Sequence, residues 1–107
     1  MSNASRSHVI LASAILLAGA MSFAQTSGEA TYKAKCESCH GPDGMASSGI
    51  GKIMKVKPAN DPDVRKQTEQ TMIEAVRNGE GKMQAYKGSL TDAQIKDSVD
   101  CFRKFIK

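Results

Sequence analysis

Histidine and cysteine are scarce in this 107-residue chain, which has two histidines and three cysteines. The histidines are His8 and His40, and the cysteines are Cys36, Cys39 and Cys101. A structural zinc site needs two pairs of ligands at metal-binding spacing, and beyond the first cysteine pair only Cys101 and His8 remain to supply the second. Because we expect the segment that contains His8 to be removed, the sequence argues against a structural zinc site.

Strand patterns, repeats and a strong charge excess are also lacking. No window shows the sustained alternation of apolar and polar residues that is typical of half-buried strands, so we predict an all-α fold. The chain has 15 Lys and Arg against 11 Asp and Glu, a net charge of +4, and its predicted mature form lacks Arg6 and has +3. This mild charge is too weak to suggest a nucleic-acid partner.

Residues 1–24 have the pattern of a cleaved secretory signal peptide. Arg6 precedes an apolar run from Val9 to Ala20, and Ser22-Phe23-Ala24 places small residues three and one positions before a cleavage point. The run is short and rich in Ala and Ser, which argues against a retained membrane anchor. We expect export to the periplasm and one mature domain, 25–107, with an uncleaved, anchoring N-terminus as the alternative.

The pentapeptide Cys36-Glu37-Ser38-Cys39-His40 is the strongest functional signal in the sequence. CxxCH is the pattern for covalent attachment of a c-type haem. Two cysteines about one helical turn apart lie on one face, where both thiols can add to vinyl groups on one porphyrin edge, and His40 can ligate the iron. A thioredoxin-like pair needs a βαβ unit, and no strand pattern surrounds Cys36. The sequence therefore predicts one covalent haem.

A chain of this size needs the haem as part of its core. Domains of about 60 to 80 residues bury only about 60% of the surface that the unfolded chain exposes. An apolar macrocycle held by two thioethers and two axial ligands gives short helices a common packing surface. We therefore expect the chain to be largely unfolded without haem.

Apolar spacing and capping signals predict four helical segments. They cover residues 28–39, 50–57, 68–78 and 91 to the C-terminus. The helices at the two ends of the domain are expected to pack on each other, with Gly28 allowing close approach and Phe102 as its partner. The alternative is that Gly28 merely starts the first helix.

The sixth iron ligand must come from a residue type other than histidine, because His40 is the only histidine of the mature chain. The thioether candidates are Met45, Met54, Met72 and Met83. The further alternatives are a lysine, water or an open site. Met45 is too close to His40 in sequence to reach the opposite face of the porphyrin. Met54 and Met72 lie on apolar helical stripes, where methionine usually fills the core. Met83 lies in a glycine-rich loop that can fold over the distal face.

The mature chain resembles the small class I monohaem cytochromes c, in particular their short bacterial and photosynthetic members. The likeness consists of five sequence features. They are the helix face of Gly28, Tyr32 and Cys36; the haem motif, Cys36 to Gly41; the helix end, Asn78-Gly79; the methionine loop, Gly81 to Tyr86; and the start of the last helix, Leu90 to Ile95. This resemblance implies three to five short helices around one haem, with thioethers at Cys36 and Cys39, His40 as proximal ligand and Met83 as distal ligand.

Three departures from the family pattern carry expectations of their own. In this family, the carbonyl of a proline after the haem motif commonly accepts the N–H of the proximal imidazole. Gly49 stands at that place here, with Pro58 as the alternative, so the acceptor of this hydrogen bond is left open. Gln84 replaces the proline that usually follows the methionine, which predicts a weaker iron–sulfur bond and an easier ligand switch to Lys82 or Lys87. Cys101 is either a buried small hydrophobe or an exposed thiol that links two molecules.

The resemblance implies a soluble periplasmic one-electron carrier that passes electrons between larger redox protein complexes and is not an enzyme. We expect a monomer, or a dimer linked through Cys101, without stable membrane insertion after signal cleavage. The alternatives are a haem sensor or enzyme with an open distal site, and an anchored electron-entry subunit of a membrane complex.

Lysines expected to border the haem crevice either guide a partner or only keep the protein soluble: Lys33, Lys35, Lys52, Lys55, Lys57, Lys82 and Lys87.

Overall fold

The computed structural model describes residues 27–107, and the regular structure of this range is helical. The helices are α1 (Gly28–Lys35), α2 (Glu37–His40), α3 (Gly49–Ile53), α4 (Pro62–Arg65), α5 (Glu69–Asn78) and α6 (Asp92–Arg103). One isolated antiparallel bridge, between Glu80 and Met83, is the β feature of this range. The prediction of an all-α fold is confirmed. The predicted signal peptide, residues 1–24, lies outside the described residues.

The first predicted helix, 28–39, is divided into α1 and α2 at Cys36. This residue has φ −118° and ψ −34°, and its N–H still donates to the carbonyl of Tyr32 at 2.8 Å. The N–H of His40 in turn donates to the carbonyl of Cys36 at 2.9 Å. The backbone therefore continues through the haem motif as a helical turn with a change of direction.

Three other segments differ from the prediction. The segment predicted as helical over 50–57 is helical only over α3, Gly49–Ile53, because the chain turns at Met54 and Lys55, where φ of Lys55 is +54°. Helix α4 was not expected, although Asp61 caps it by accepting from the N–H of Asp63 at 2.8 Å and Pro62 occupies its first turn. Helix α6 ends at Arg103 rather than at the C-terminus, and tighter turns follow, in which N–H groups donate to carbonyls three residues back. In the part of the chain described here, no helix is long and apolar enough to cross a membrane.

Threonine caps start the two longest helices of residues 27–107. Thr68 accepts from the N–H of Thr71 at 3.1 Å at the start of α5. Thr91 and Gln94 form a reciprocal capping box at the start of α6, with bonds of 3.1 and 2.9 Å. Each cap contributes about 1 kcal/mol by satisfying N–H groups that have no partner inside the helix.

The core lies between α5 and α6. Its buried members come from α4, α5 and α6: Val64, Met72, Ile73, Ile95 and Val99. Ile95 is completely buried, and partly buried side chains such as Phe102 pack against the cluster from the edge. The apolar stripe of α6 therefore serves both the core and the neighbouring helix α1.

Helix α1 crosses α6 at Gly28. A Cβ atom at this position would lie 2.4 Å from the carbonyl oxygen of Asp97, a distance that no real Cβ contact reaches. The predicted close approach is confirmed, but the atom opposite Gly28 is a backbone oxygen of Asp97 and not Phe102. The Phe102 ring instead lies against Tyr32, one turn further along α1, with centroids 6.5 Å apart.

Helix α3 ends in a Schellman motif that has a lysine at the position glycine usually occupies. The N–H of Lys55 donates to the carbonyl of Lys52 at 3.2 Å, and the N–H of Val56 donates to that of Gly51 at 2.9 Å. This arrangement holds Lys55 at φ +54°, in the left-handed region that is unfavourable for a residue with a Cβ.

Substituting Gly28→Ala tests the crossing of α1 and α6. Because the new methyl group meets a backbone oxygen that cannot turn away, the free energy of unfolding should fall by about 1–3 kcal/mol, measured by chemical denaturation of the haem-loaded protein. Gly49→Ala is the matched control, since a Cβ at Gly49 meets no atom within 4 Å. Equal stability of the two variants would contradict the account.

Candidate functional site

Cys36, Cys39 and His40 occupy one helical turn at the junction of α1 and α2. The N–H groups of Cys39 and His40 donate to the Cys36 carbonyl at 3.2 and 2.9 Å. Both motif thiols are free and partly exposed. Burial raises the pKa of the Cys36 thiol to about 11, with smaller contributions from Cys101 and Cys39. A protonated thiol has both the sulfur and the proton that a vinyl group takes up when a thioether forms.

The His40 imidazole has the properties of a metal ligand. Burial lowers its pKa, which favours the neutral ring with a free lone pair on one nitrogen. Its Nδ1 is buried and has no hydrogen-bond partner, so neither Gly49 nor Pro58 supplies the backbone carbonyl considered above. A buried ring nitrogen without a partner costs about 1–3 kcal/mol, and iron bound by the imidazole would give one of its two nitrogens a partner. These features fit the haem that the motif predicts.

An aromatic cluster connects the haem motif to helices α1 and α6. The Tyr32 hydroxyl is buried and donates to the Gly41 carbonyl at 2.6 Å. The centroids of the Phe105 and Tyr32 rings lie 5.6 Å apart, and the Phe102 and His40 rings meet edge to face with centroids 5.3 Å apart. Burial raises the pKa of Tyr32 well above its usual value, so the hydroxyl keeps the proton that it donates.

The segment after the motif turns back and packs on it. The Ser48 hydroxyl donates to the Ser38 carbonyl at 2.7 Å and also caps α3 by accepting from the N–H of Gly51 at 3.0 Å. A Cβ at Gly51 would lie 2.5 Å from the Cys39 carbonyl oxygen, so the backbones of α3 and α2 are in contact here without an intervening side chain. Helix α3 is therefore held directly beside the turn that carries the motif.

The four candidate methionines have different environments. Met72 is a buried member of the core, and its sulfur lies 3.7 Å from Nη1 of Arg103. This confirms the prediction that Met72 fills the core, whereas Met54, for which the same prediction was made, lies at the end of α3 and outside the core cluster. Met45, Met54 and Met83 are partly exposed.

The loop that contains Met83 is tied to the end of α1. Glu80 and Met83 exchange two backbone hydrogen bonds of 3.1 and 2.9 Å, which close a tight turn. The Tyr86 hydroxyl donates to the Lys35 carbonyl at 3.0 Å, immediately before Cys36, and accepts from Nε2 of Gln84 at 3.1 Å. Sequence reasoning missed this tie, because no local pattern signals a bond between residues 51 positions apart.

Cys101 is buried, with 7% of its surface exposed. It lies on α6 near Tyr32 of α1, where it lines a groove of about 250 Å³ with Phe105 and Lys104. Burial raises the pKa of its thiol. Of the two alternatives for this residue, the structure supports the buried small hydrophobe.

Comparisons with known proteins agree with this geometry. The family model described as cytochrome C oxidase, cbb3-type, subunit III matches residues 23–100. The cytochrome c6 of Leptolyngbya boryana is 35% identical over 69 residues, which cover 64% of this chain and 76% of that protein.

Solved structures give the same result. The KustC0563 c-type cytochrome superposes with a TM-score of 0.69 at 28% identity and covers 76% of this chain and 99% of its own. A mutant form of Kustc0563 gives a TM-score of 0.67 at 26% identity over 74% of this chain and 98% of its own. The chain therefore belongs to the c-type cytochromes, in the family described as cytochrome C oxidase, cbb3-type, subunit III, and carries covalently bound haem c with iron.

Proposed function

We propose that the protein is a soluble periplasmic one-electron carrier. Its haem is attached through Cys36 and Cys39, and its iron is coordinated by His40 and Met83. The observation that carries the ligand assignment is the Tyr86 hydroxyl bond to the Lys35 carbonyl, which joins the Met83 loop to the residue preceding the haem motif. The cytochrome c6 likeness supports an electron-transfer role with redox protein partners.

The chain's residues supply what an electron carrier needs. Bound haem iron provides the one-electron couple. The neutral His40 imidazole is a nitrogen donor on one side, and the soft Met83 thioether favours ferrous over ferric iron and so raises the reduction potential. A methionine held at the distal position also keeps water and small gases away from that side. Similar coordination in both oxidation states suits electron transfer without chemical change of a substrate.

The lack of a second histidine in residues 27–107 supports a carrier rather than an enzyme. Residues 27–107 contain no histidine besides His40. With that imidazole on the iron, no second imidazole in this range is available to move a proton on the distal side, as peroxide chemistry requires. A sensor or enzyme with an open distal site remains the alternative that spectroscopy tests.

The name of the matching family provides a second candidate function, a fixed electron-entry subunit of a membrane complex. Signal cleavage separates the two candidates. For the carrier, amino-terminal sequencing of the haem-loaded protein isolated from the periplasm should begin at Gln25. Recovery only from membranes, with residues 1–24 retained, would instead support the subunit.

Replacement of Met83 by leucine tests the distal ligand. The variant should lose the weak far-red band that arises from sulfur bonded to ferric iron, and its reduction potential should fall by on the order of 100 mV because the thioether no longer favours the ferrous state. Met54→Leu is the control and should keep both properties. Carbon monoxide binding by the unaltered protein, with no far-red band, would establish an open distal site.

Replacement of Tyr86 by phenylalanine tests whether the hydrogen bonds of its hydroxyl hold the Met83 loop in place. Loss of the bonds to Lys35 and Gln84 should lower the free energy of unfolding by about 1 kcal/mol. It should also lower the pH at which the far-red band disappears on alkaline titration, because a looser loop yields its ligand more easily. Ser89→Ala removes only a 3.4 Å contact in the same loop and should leave that pH unchanged. An unaltered alkaline transition in the Tyr86 variant would show that the hydrogen bond from Tyr86 to Lys35 does not keep Met83 on the iron.

A further inference from the structure

The backbone of His40 is held by hydrogen bonds, but its ring is not. The His40 N–H donates to the Cys36 carbonyl at 2.9 Å, and the His40 carbonyl accepts from the N–H of Ala46 at 2.8 Å. Nδ1 of the ring is buried by the chain itself and has no hydrogen-bond partner in residues 27–107. Because the outer torsion of a histidine side chain has only broad preferences, the fixed backbone does not determine how this ring is rotated.

A metal-bound histidine usually has its ring rotation set by a hydrogen bond. The nitrogen that does not bind the metal donates to a carboxylate, a carbonyl or water, and this bond fixes both the tautomer and the orientation of the imidazole. In this chain Nδ1 is covered by protein, so Nε2 is the nitrogen left for iron, and the usual bond from Nδ1 is missing within residues 27–107. A different contact must therefore orient the ring.

Phe102 makes such a contact. Its ring and the His40 ring meet edge to face, with centroids 5.3 Å apart and planes at 64°. Aromatic rings attract each other at this separation, and the edge-to-face arrangement is one of the two that they favour. Among the aromatic rings of residues 27–107, Phe102 is the one that contacts His40. Rotation of the imidazole would break this contact.

The Phe102 ring is itself held in place. It stacks on Tyr32 with planes at 23°, and it meets Phe105 edge to face, with centroids 6.5 Å apart in both pairs. The buried Tyr32 hydroxyl donates to the carbonyl of Gly41, the residue after His40. The contacts therefore lead from the His40 ring through Phe102 and Tyr32 back to the peptide beside His40, which gives the imidazole a fixed neighbour.

We propose that Phe102 is a positioning residue that sets the rotation of the His40 imidazole, in place of the hydrogen bond that is missing from Nδ1. The inference rests on the proposed role of His40 as iron ligand and is independent of the ligand on the other side of the iron. Helix α6 thereby contributes to the geometry of the iron site without supplying a ligand.

Proton NMR of the ferric, haem-loaded protein in excess cyanide tests this proposal. Cyanide takes the sixth position whatever ligand stood there, and because it is linear it has no rotational orientation of its own. The unpaired spin is then distributed over the four haem methyl groups according to the rotation of the proximal imidazole. In Phe102→Leu, the order and spread of the four methyl resonances should change from those of the unaltered protein.

Phe105→Leu is the matched control. It removes a ring of the same size from the same aromatic cluster, but not one that contacts His40. Both variants should lower the midpoint of chemical unfolding, because each loses packed ring surface, whereas the methyl pattern should change only in Phe102→Leu. An unchanged pattern in Phe102→Leu, or an equal change in both variants, would overturn the proposal.

The unaltered ferrous protein gives a second test that needs no variant. Nuclear Overhauser effects should connect the ring protons of Phe102 with those of His40, and their absence would overturn the proposal. A scalar coupling between Nδ1 of His40 and a carbonyl carbon would reveal a hydrogen bond and would also overturn it.

The same spectrum shows which proposal has failed. If the His40 ring protons lack the large upfield shifts of an imidazole bound to haem iron, His40 is not the ligand, and the proposed coordination fails together with this inference. If those shifts are present and the methyl pattern of Phe102→Leu is unchanged, the role of Phe102 alone is overturned.

Discussion

The backbone contact between Gly28 and the Asp97 carbonyl determines how the rest of the domain is arranged. Because α1 and α6 touch without an intervening side chain, the next turn of α1 brings Tyr32 against the aromatic residues of α6 and its extension. One of these residues, Phe102, also contacts the His40 ring. The helix crossing is thereby connected, through three aromatic side chains, to the proximal ligand of the proposed iron site.

The chain's two tyrosines bind the backbone at the two ends of the haem motif. Tyr32 donates to the carbonyl of Gly41, just after the motif, and Tyr86 donates to the carbonyl of Lys35, just before it. The first bond is buried and joins the motif to the crossing of α1 and α6. The second is exposed and joins it to the loop that carries Met83. A motif of five residues is therefore positioned by the hydroxyl groups of two tyrosines that are distant from each other in sequence.

Local signals allowed much of this structure to be predicted from the sequence. Apolar periodicity and threonine caps identified α5 and α6, and the absence of strand patterns gave the fold class. The break at Cys36 was not predictable from propensity, because the backbone bends there while keeping its hydrogen bonds. Helix α4 was missed because its four residues are too few to show periodicity, although Asp61 and Pro62 form a recognisable start.

The site was less predictable than the fold. CxxCH predicts three site residues because their chemistry depends on fixed spacing along one helical turn. The Tyr86 tie and the unpartnered His40 nitrogen depend on tertiary contacts, which local patterns do not encode. The environment of Met72 was correctly predicted because an apolar helical stripe places its members in the core. The choice among the remaining methionines instead depends on how a loop folds over the haem.

The proposed function depends on coordination of the iron by His40 and Met83 in a covalently attached haem. The most direct test is an NMR spectrum of the ferrous holoprotein labelled with methyl-13C-methionine and sequentially assigned. One methionine methyl group, that of Met83, should be shifted far upfield by the ring current of the porphyrin whose iron its sulfur binds. Assignment of the shifted methyl group to Met45 or Met54, or the absence of any shifted methyl group, would contradict the account.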